Sequence, residues 1–115
     1  MLLTVNGRQQ GAETLFVGSD EVLQVQISND NGSEIDSTSD TNTLEFYTDK
    51  KRTTVILSAP WVGTTNGLNA GIGTVTLTDV NTALFTAGKT YYAYAKRIVG
   101  GLIYFSENSI AVVAQ

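Results

Sequence analysis

The chain contains no cysteine and no histidine. Without cysteine there is no disulfide framework and no thiolate metal site. Without histidine the commonest general base and nitrogen ligand are gone. Basic residues are scarce too: seven Lys and Arg stand against eleven Asp and Glu, a net charge of −4. Phosphate backbones are held by clustered Lys and Arg, so this balance argues against nucleic acid as a partner. No apolar run approaches the roughly 20 residues that span a bilayer. The opening Met1-Leu-Leu-Thr-Val-Asn-Gly7 lacks a basic start and a long apolar stretch, so neither a signal peptide nor a membrane partner is expected.

What remains is a pattern of short alternating runs between turn residues. The 115 residues are 42% hydrophobic, enough for one globular domain over 1–115 with a real core. Leu2 to Val5 reads as a strand closed by the turn dipeptide Asn6-Gly7. Arg8 to Ala12 is polar and irregular, and 1–12 reads as an amino-terminal arm able to reach a neighbour. Glu21 to Ser28 alternates most cleanly, with Leu23, Val25 and Ile27 on one face and Gln24 and Gln26 on the other.

Asn29 to Asn42 is the longest polar stretch and belongs on the surface, with Ile35 as its anchor. Thr43 to Thr48 alternates again, placing Leu44 and Phe46 opposite Glu45 and Tyr47. Lys50, Lys51 and Arg52 stand together in the next turn. Thr53 to Leu57 is strand-like, and Pro60 marks a loop or a sheet edge. Thr64 to Gly73 reads as a loop, and Thr74 to Leu77 as a strand. Asp79 to Gly88 holds one or two helical turns, with Asp79 as N-cap and Gly88 as the stop. Thr90 to Val99 and Leu102 to Phe105 flank Gly100-Gly101, a strong hairpin signal. Ile110 to Ala114 closes the chain, with a bulge at Ser106 to Ser109. The spacing predicts an all-β fold, an immunoglobulin-like β-sandwich of about seven to eight antiparallel strands with one short helical turn.

Two segments resemble the immunoglobulin-like modules of bacteriophage virion proteins. These include the amino-terminal domain of baseplate upper proteins and small capsid cement or decoration proteins. One is Gly18-Ser-Asp-Glu-Val-Leu-Gln-Val-Gln-Ile-Ser-Asn-Asp-Asn-Gly-Ser-Glu-Ile-Asp36, a turn, an alternating strand and a second Asp-rich turn. The other is Leu77-Thr-Asp-Val-Asn-Thr-Ala-Leu-Phe-Thr-Ala-Gly-Lys-Thr-Tyr-Tyr92, a strand, a helical turn, a glycine and a paired-tyrosine strand opening. The chain departs from the pattern around Ser37 to Thr43 and at Lys89-Thr90. The resemblance implies a non-enzymatic virion protein assembled in the host cytoplasm. Its implied role is a capsid cement or decoration subunit that binds the assembled shell. The alternatives are a tail or baseplate module and a carbohydrate- or receptor-binding domain. The departures keep the family's partners from being carried over; the partners expected for a cement subunit are the major capsid protein, other virion structural proteins, or further copies in a homo-oligomer. No cofactor is implied.

In immunoglobulin-like sandwiches a tyrosine at the start of the second-last strand tucks in and bonds the preceding corner. Tyr91 fits that place, with Tyr92 and Tyr94 pointing outward. The opposite parity would bury Tyr92 and Tyr94 and expose Tyr91. Interface candidates are Tyr47, Tyr92, Tyr94 and Tyr104, because tyrosine brings large contact area at little entropic loss. Lys50, Lys51 and Arg52 add a cationic patch for an acidic partner. Trp61 is expected to be at least partly buried. Asp30, Glu34, Asp36 and Asp40 offer oxygens of the kind Ca²⁺ takes, but their spacing misses the twelve-residue calcium loop, so a solvated loop is the simpler reading. No Gly-x-Ser-x-Gly elbow or phosphate loop occurs, and catalytic activity is not expected.

Overall fold

The computed structural model describes residues 1–33, 35–37, 40–62 and 72–115. Among them lie nine strands: β1 (Leu2–Val5), β2 (Ala12–Leu15), β3 (Glu21–Ser28), β4 (Thr41–Tyr47), β5 (Val55–Trp61), β6 (Ile72–Leu77), β7 (Thr90–Val99), β8 (Leu102–Phe105) and β9 (Ile110–Ala114). One helical turn, α1 (Asp79–Thr82), joins β6 to β7. The protein is mostly β, and its strands form two sheets. The smaller sheet has the order β1-β3-β6. The larger runs β2-β9-β7-β4-β5, with β8 paired to the far half of β7.

Alternation decides which side chains meet between the sheets. Leu3 and Val5 of β1, Leu23, Val25 and Ile27 of β3, and Val75 and Leu77 of β6 are buried in one layer. Leu44 and Phe46 of β4, Tyr91, Ala93 and Ala95 of β7, and Ile110, Val112 and Ala114 of β9 meet them from the other. All belong to one apolar cluster, to which Ile35 adds the anchor expected of its polar loop. Large residues sit beside small ones: Phe46 is opposite Ala93 and Leu44 opposite Ala95. The Phe46 ring then meets Phe85 edge-on at 5.3 Å, and Phe85 meets Tyr91 at 4.8 Å. Each large side chain so buried contributes about 1.5–3 kcal/mol.

Several expectations change. The strand count is higher than seven or eight, and not all pairs are antiparallel. β2 lies parallel to β9, with Ala12 beside Ala111 and Leu15 beside Ala114. Within segment 1–12, β1 pairs with β3 and buries Leu3 and Val5. Thr78, not Asp79, is the N-cap: its hydroxyl accepts from the Asn81 backbone, and the Asn81 side chain accepts from Thr78 in return. Pro60 takes the sheet-edge place of its two readings: it lies within β5, an edge strand, where a missing N–H is tolerated. The predicted loop at Thr64 to Gly73 falls largely outside the described residues, but Gly73 belongs to β6. A Cβ there would stand 2.5 Å from both the Trp61 ring and the Val62 carbonyl, so only glycine permits this close approach.

Candidate interface

Tyr91 behaves as its position predicts. Its hydroxyl accepts a 2.7 Å hydrogen bond from the Thr86 backbone N–H, tying the corner after α1 to the start of β7. That bond fixes the parity of β7: Tyr91, Ala93 and Ala95 face the core, and Tyr92, Tyr94 and Lys96 face away from the smaller sheet.

The outward face is not bare. Tyr47 and Tyr94 are only 6% and 8% exposed, so the expectation that they offer open contact surface is corrected. They meet edge-on at 5.9 Å. The Tyr47 hydroxyl donates to Glu45 at 3.0 Å, Ser58 donates to the other carboxylate oxygen, and Lys96 Nζ stands 3.6 Å from the first. Burial, reinforced by the Glu45 carboxylate, pushes the Tyr47 phenol from 10.0 up to about 12. The Tyr94 hydroxyl donates to the Lys50 carbonyl at 2.9 Å.

The turn between β4 and β5 forms the cover. Asp49 closes it by accepting from Thr53, whose hydroxyl holds the Asp49 carboxyl below its usual range. Arg52 adopts the left-handed region, φ 58°. Its guanidinium lies across the outer face, 5.3 Å from the Tyr94 ring and 4.0 Å from the Phe105 ring. Lys50 stands 5.5 Å over Tyr92. Lys51 is exposed at the turn. Five of the seven predicted residues therefore meet on one face: Tyr47, Tyr92, Tyr94, Lys50 and Arg52. Sequence reasoning missed Glu45 and Phe105, which organise that face. Alternation put Glu45 outward correctly, but nothing local signalled that Ser58 of β5 and Lys96 of β7 would close around it.

Beside Tyr92 the side chains shrink to Gly11, Ser109 and Ala111. A trough of about 330 Å³ opens there, lined also by Gln10 and Lys50.

Tyr104 lies elsewhere, on the β7–β8 hairpin opposite Arg97. Gly100 and Gly101 both have positive φ, 56° and 83°, as a two-residue hairpin turn demands. Beyond the core this hairpin exposes Leu102, Ile103 and Tyr104 at 61%, 56% and 47%. A second apolar group lies at the opposite end of the strands, where Phe16, Val80 and Leu84 are exposed. That end is held together by Thr82, which donates to the Ser19 carbonyl and accepts from the Gly18 N–H.

Asp30 and Asp40, two of the four carboxylates weighed against calcium, are engaged within the chain. Asp30 accepts from the Met1 ammonium at 2.8 Å, and Asp40 pairs with Arg97 at 2.6 Å. Asp36 is exposed, and Glu34 lies outside the described residues. Among the described residues no group of three or more His, Cys, Asp or Glu is placed to hold a metal ion. Among them too, no helix is long and apolar enough to cross a membrane.

Fold and surface together define a mostly-β protein of two sheets with apolar side chains exposed at both strand ends. No protein-family model matches the chain, and no curated protein matches it.

Proposed function

We propose that this chain is a non-enzymatic structural protein of a bacteriophage virion. In this reading it is a cement or decoration subunit that binds the assembled capsid, and its two sheets form an immunoglobulin-like sandwich. The single observation that carries the contact-making role is the apolar surface at both ends of the strands, Leu102-Ile103-Tyr104 at one and Phe16, Val80 and Leu84 at the other. Exposed apolar groups at separated sites suit a subunit that bridges two neighbours. Three features support the sandwich assignment. The larger sheet pairs its last strand in parallel with β2, the two sheets share one core, and the Tyr91 corner bond sits at the start of the second-last long strand. The virion assignment rests on the resemblance of Gly18 to Asp36 and Leu77 to Tyr92 to phage modules.

Particles lacking the protein test it. Shells without it should burst at lower temperature or milder osmotic shock, and adding purified protein should restore them. Unchanged shells with defective adsorption would assign the chain to the tail or baseplate instead.

The trough beside Tyr92 favours a second reading, a carbohydrate-binding domain. An aromatic ring, an ammonium, an amide and a hydroxyl line it, the set that meets a sugar ring and its hydroxyls. A glycan array separates the readings, because a cement subunit binds no saccharide.

A further inference from the structure

The free edges of the two sheets are not alike. Along β1, the Leu3 N–H and C=O are both taken by the Asn108 side chain, at 2.7 and 2.8 Å. β2 carries Glu13, ion-paired with Arg8 at 3.0 Å. β5 carries Pro60, and β6 turns Thr74 and Thr76 to solvent. A side-chain cap, a charge, a proline and polar residues are the usual means of keeping an edge from pairing. β8 has none of them. Its sequence is Leu102-Ile-Tyr-Phe105, and among the described residues it pairs only with β7.

The hydrogen-bond phase of the hairpin shows which groups β8 leaves open. Across a two-residue turn, Val99 and Leu102 exchange bonds, and the alternation then gives bonded pairs at 97–104 and 95–106. The Ser106 N–H does reach the Ala95 carbonyl, at 2.9 Å. Ile103 and Phe105 are therefore the residues whose backbone N–H and C=O point away from β7.

We infer that the β8 edge binds the β8 edge of a second copy, extending the larger sheet across a two-fold axis centred on Ile103. A two-fold antiparallel pair keeps each side chain on its own face, so residues of equal parity must meet. Ile103 then faces Ile103 of the other copy, and Leu102 faces Tyr104. Each Ile103 N–H meets the other Ile103 carbonyl.

The occupant follows from the chemistry of the edge. β8 is apolar on both faces, Leu102 and Tyr104 on one and Ile103 and Phe105 on the other. An amphipathic strand would leave one face mismatched, whereas a second β8 matches both. The flanking cations Lys96 and Arg97 are paired within their own chain by Glu45 and Asp40. Among the described residues Arg52, 4.0 Å from the Phe105 ring, is the remaining cation beside β8, and in this register Phe105 faces Gly101 of the other copy, away from the axis. A four-residue strand pair is small beside the roughly 1,600 Å² of a standard interface, so the dimer is a reversible one. The inference goes beyond the virion reading and does not rest on it; a β8 pair would take up the Leu102-Ile103-Tyr104 surface and leave Phe16, Val80 and Leu84 for the shell.

A charge swap tests it. The wild-type protein, followed by light scattering over a concentration series, should pass from its 12.3 kDa monomer toward twice that mass. Ile103→Lys and Ile103→Glu place like charges across the axis, and each variant alone should stay monomeric. An equimolar mixture of the two should recover the doubled mass, and added salt should weaken that recovery. Thermal melts confirm that both variants fold, which the exposure of Ile103 permits. A wild type that remains monomeric to millimolar concentration sinks the inference, as do variants that dimerise alone. A mixture that stays monomeric while wild type dimerises rejects this two-fold. Sedimentation of the wild type with capsids keeps the proposals apart: a wild type that stays monomeric yet binds shells overturns the dimer and leaves the cement role intact, whereas one that dimerises without binding shells supports the dimer and overturns the cement role.

Discussion

Strand β7 passes through two environments. From Thr90 to Ala95 it lies between β9 and β4, its inner face under the smaller sheet and its outer face under the turn that carries Arg52. From Lys96 to Val99 it keeps β4 for a few residues, exchanges β9 for β8, and runs past the core. The first half contains Tyr91, Ala93, Tyr94 and Ala95, all buried. The second continues into a tip whose Leu102, Ile103 and Tyr104 face solvent. One continuous strand therefore links a region built for stability to a region whose apolar surface the fold does not use. Substitutions in the first half should change unfolding, and those in the second should change association.

The largest effect belongs to the inner face. Phe46→Ala removes the fully buried ring that meets Phe85 and sits opposite the small Ala93. A loss of about 3–5 kcal/mol in urea denaturation is expected. A loss below about 1 kcal/mol would mean that the first half of β7 is not the stability centre.

The outer face gives a pH-dependent effect. Below about pH 10 both folded and unfolded chains keep the Tyr47 proton. Above it the unfolded chain releases its proton first, because the folded phenol titrates only at about 12. The folded state then binds more protons, so stability falls as pH rises from about 10 to about 12. The size is about 2–3 kcal/mol at roughly 1.4 kcal/mol per pH unit. Tyr47→Phe should remove this part of the slope, and the phenolate absorbance of the folded protein should lose its late component. An unchanged slope would show that Glu45 and the Arg52 turn do not shield the ring.

Tyr91→Phe should come next. It keeps the ring against Phe85 but leaves the Thr86 N–H, now bonded at 2.7 Å, without its acceptor. A loss of about 1–3 kcal/mol is expected from melting or denaturant curves, less than for Phe46→Ala.

The sequence made the inner half of β7 readable for a physical reason. Alternation with period two marks the buried face directly, and the small Ala93 and Ala95 on that face lie opposite the large Phe46 and Leu44. The paired glycines specified the hairpin, because only a two-residue turn with positive φ needs both. The outer face was less legible. Glu45 is charged and lies on the solvent-side parity, yet it is buried, its carboxylate held by Tyr47 of its own strand and by Ser58 and Lys96 of the strands on either side. No local pattern reports which side chains adjacent strands will bring to one position. The parallel pairing of β2 was hidden for a similar reason, since four residues with one buried position carry little periodicity. Pro60 was legible only as a choice between loop and edge, and three-dimensional pairing decided it.

The smallest expected stability effect sharpens the comparison most. Leu102→Thr with Ile103→Thr places β-branched side chains, which suit a strand, at both positions of β8 and removes most of its apolar surface. Both positions are exposed, so they lose almost no burial within the chain. Unfolding free energy should stay within about 0.5 kcal/mol of wild type. Association should weaken, because the side chains that would meet a neighbour are gone while the backbone edge remains. If the double variant instead lost about as much stability as Tyr91→Phe, Leu102 and Ile103 would be serving the chain's own core. The division of β7 into a folding half and a contact half would then collapse. If stability and association were both unchanged, the tip would be exposed without use, and the contact surface would have to be sought at Phe16, Val80 and Leu84.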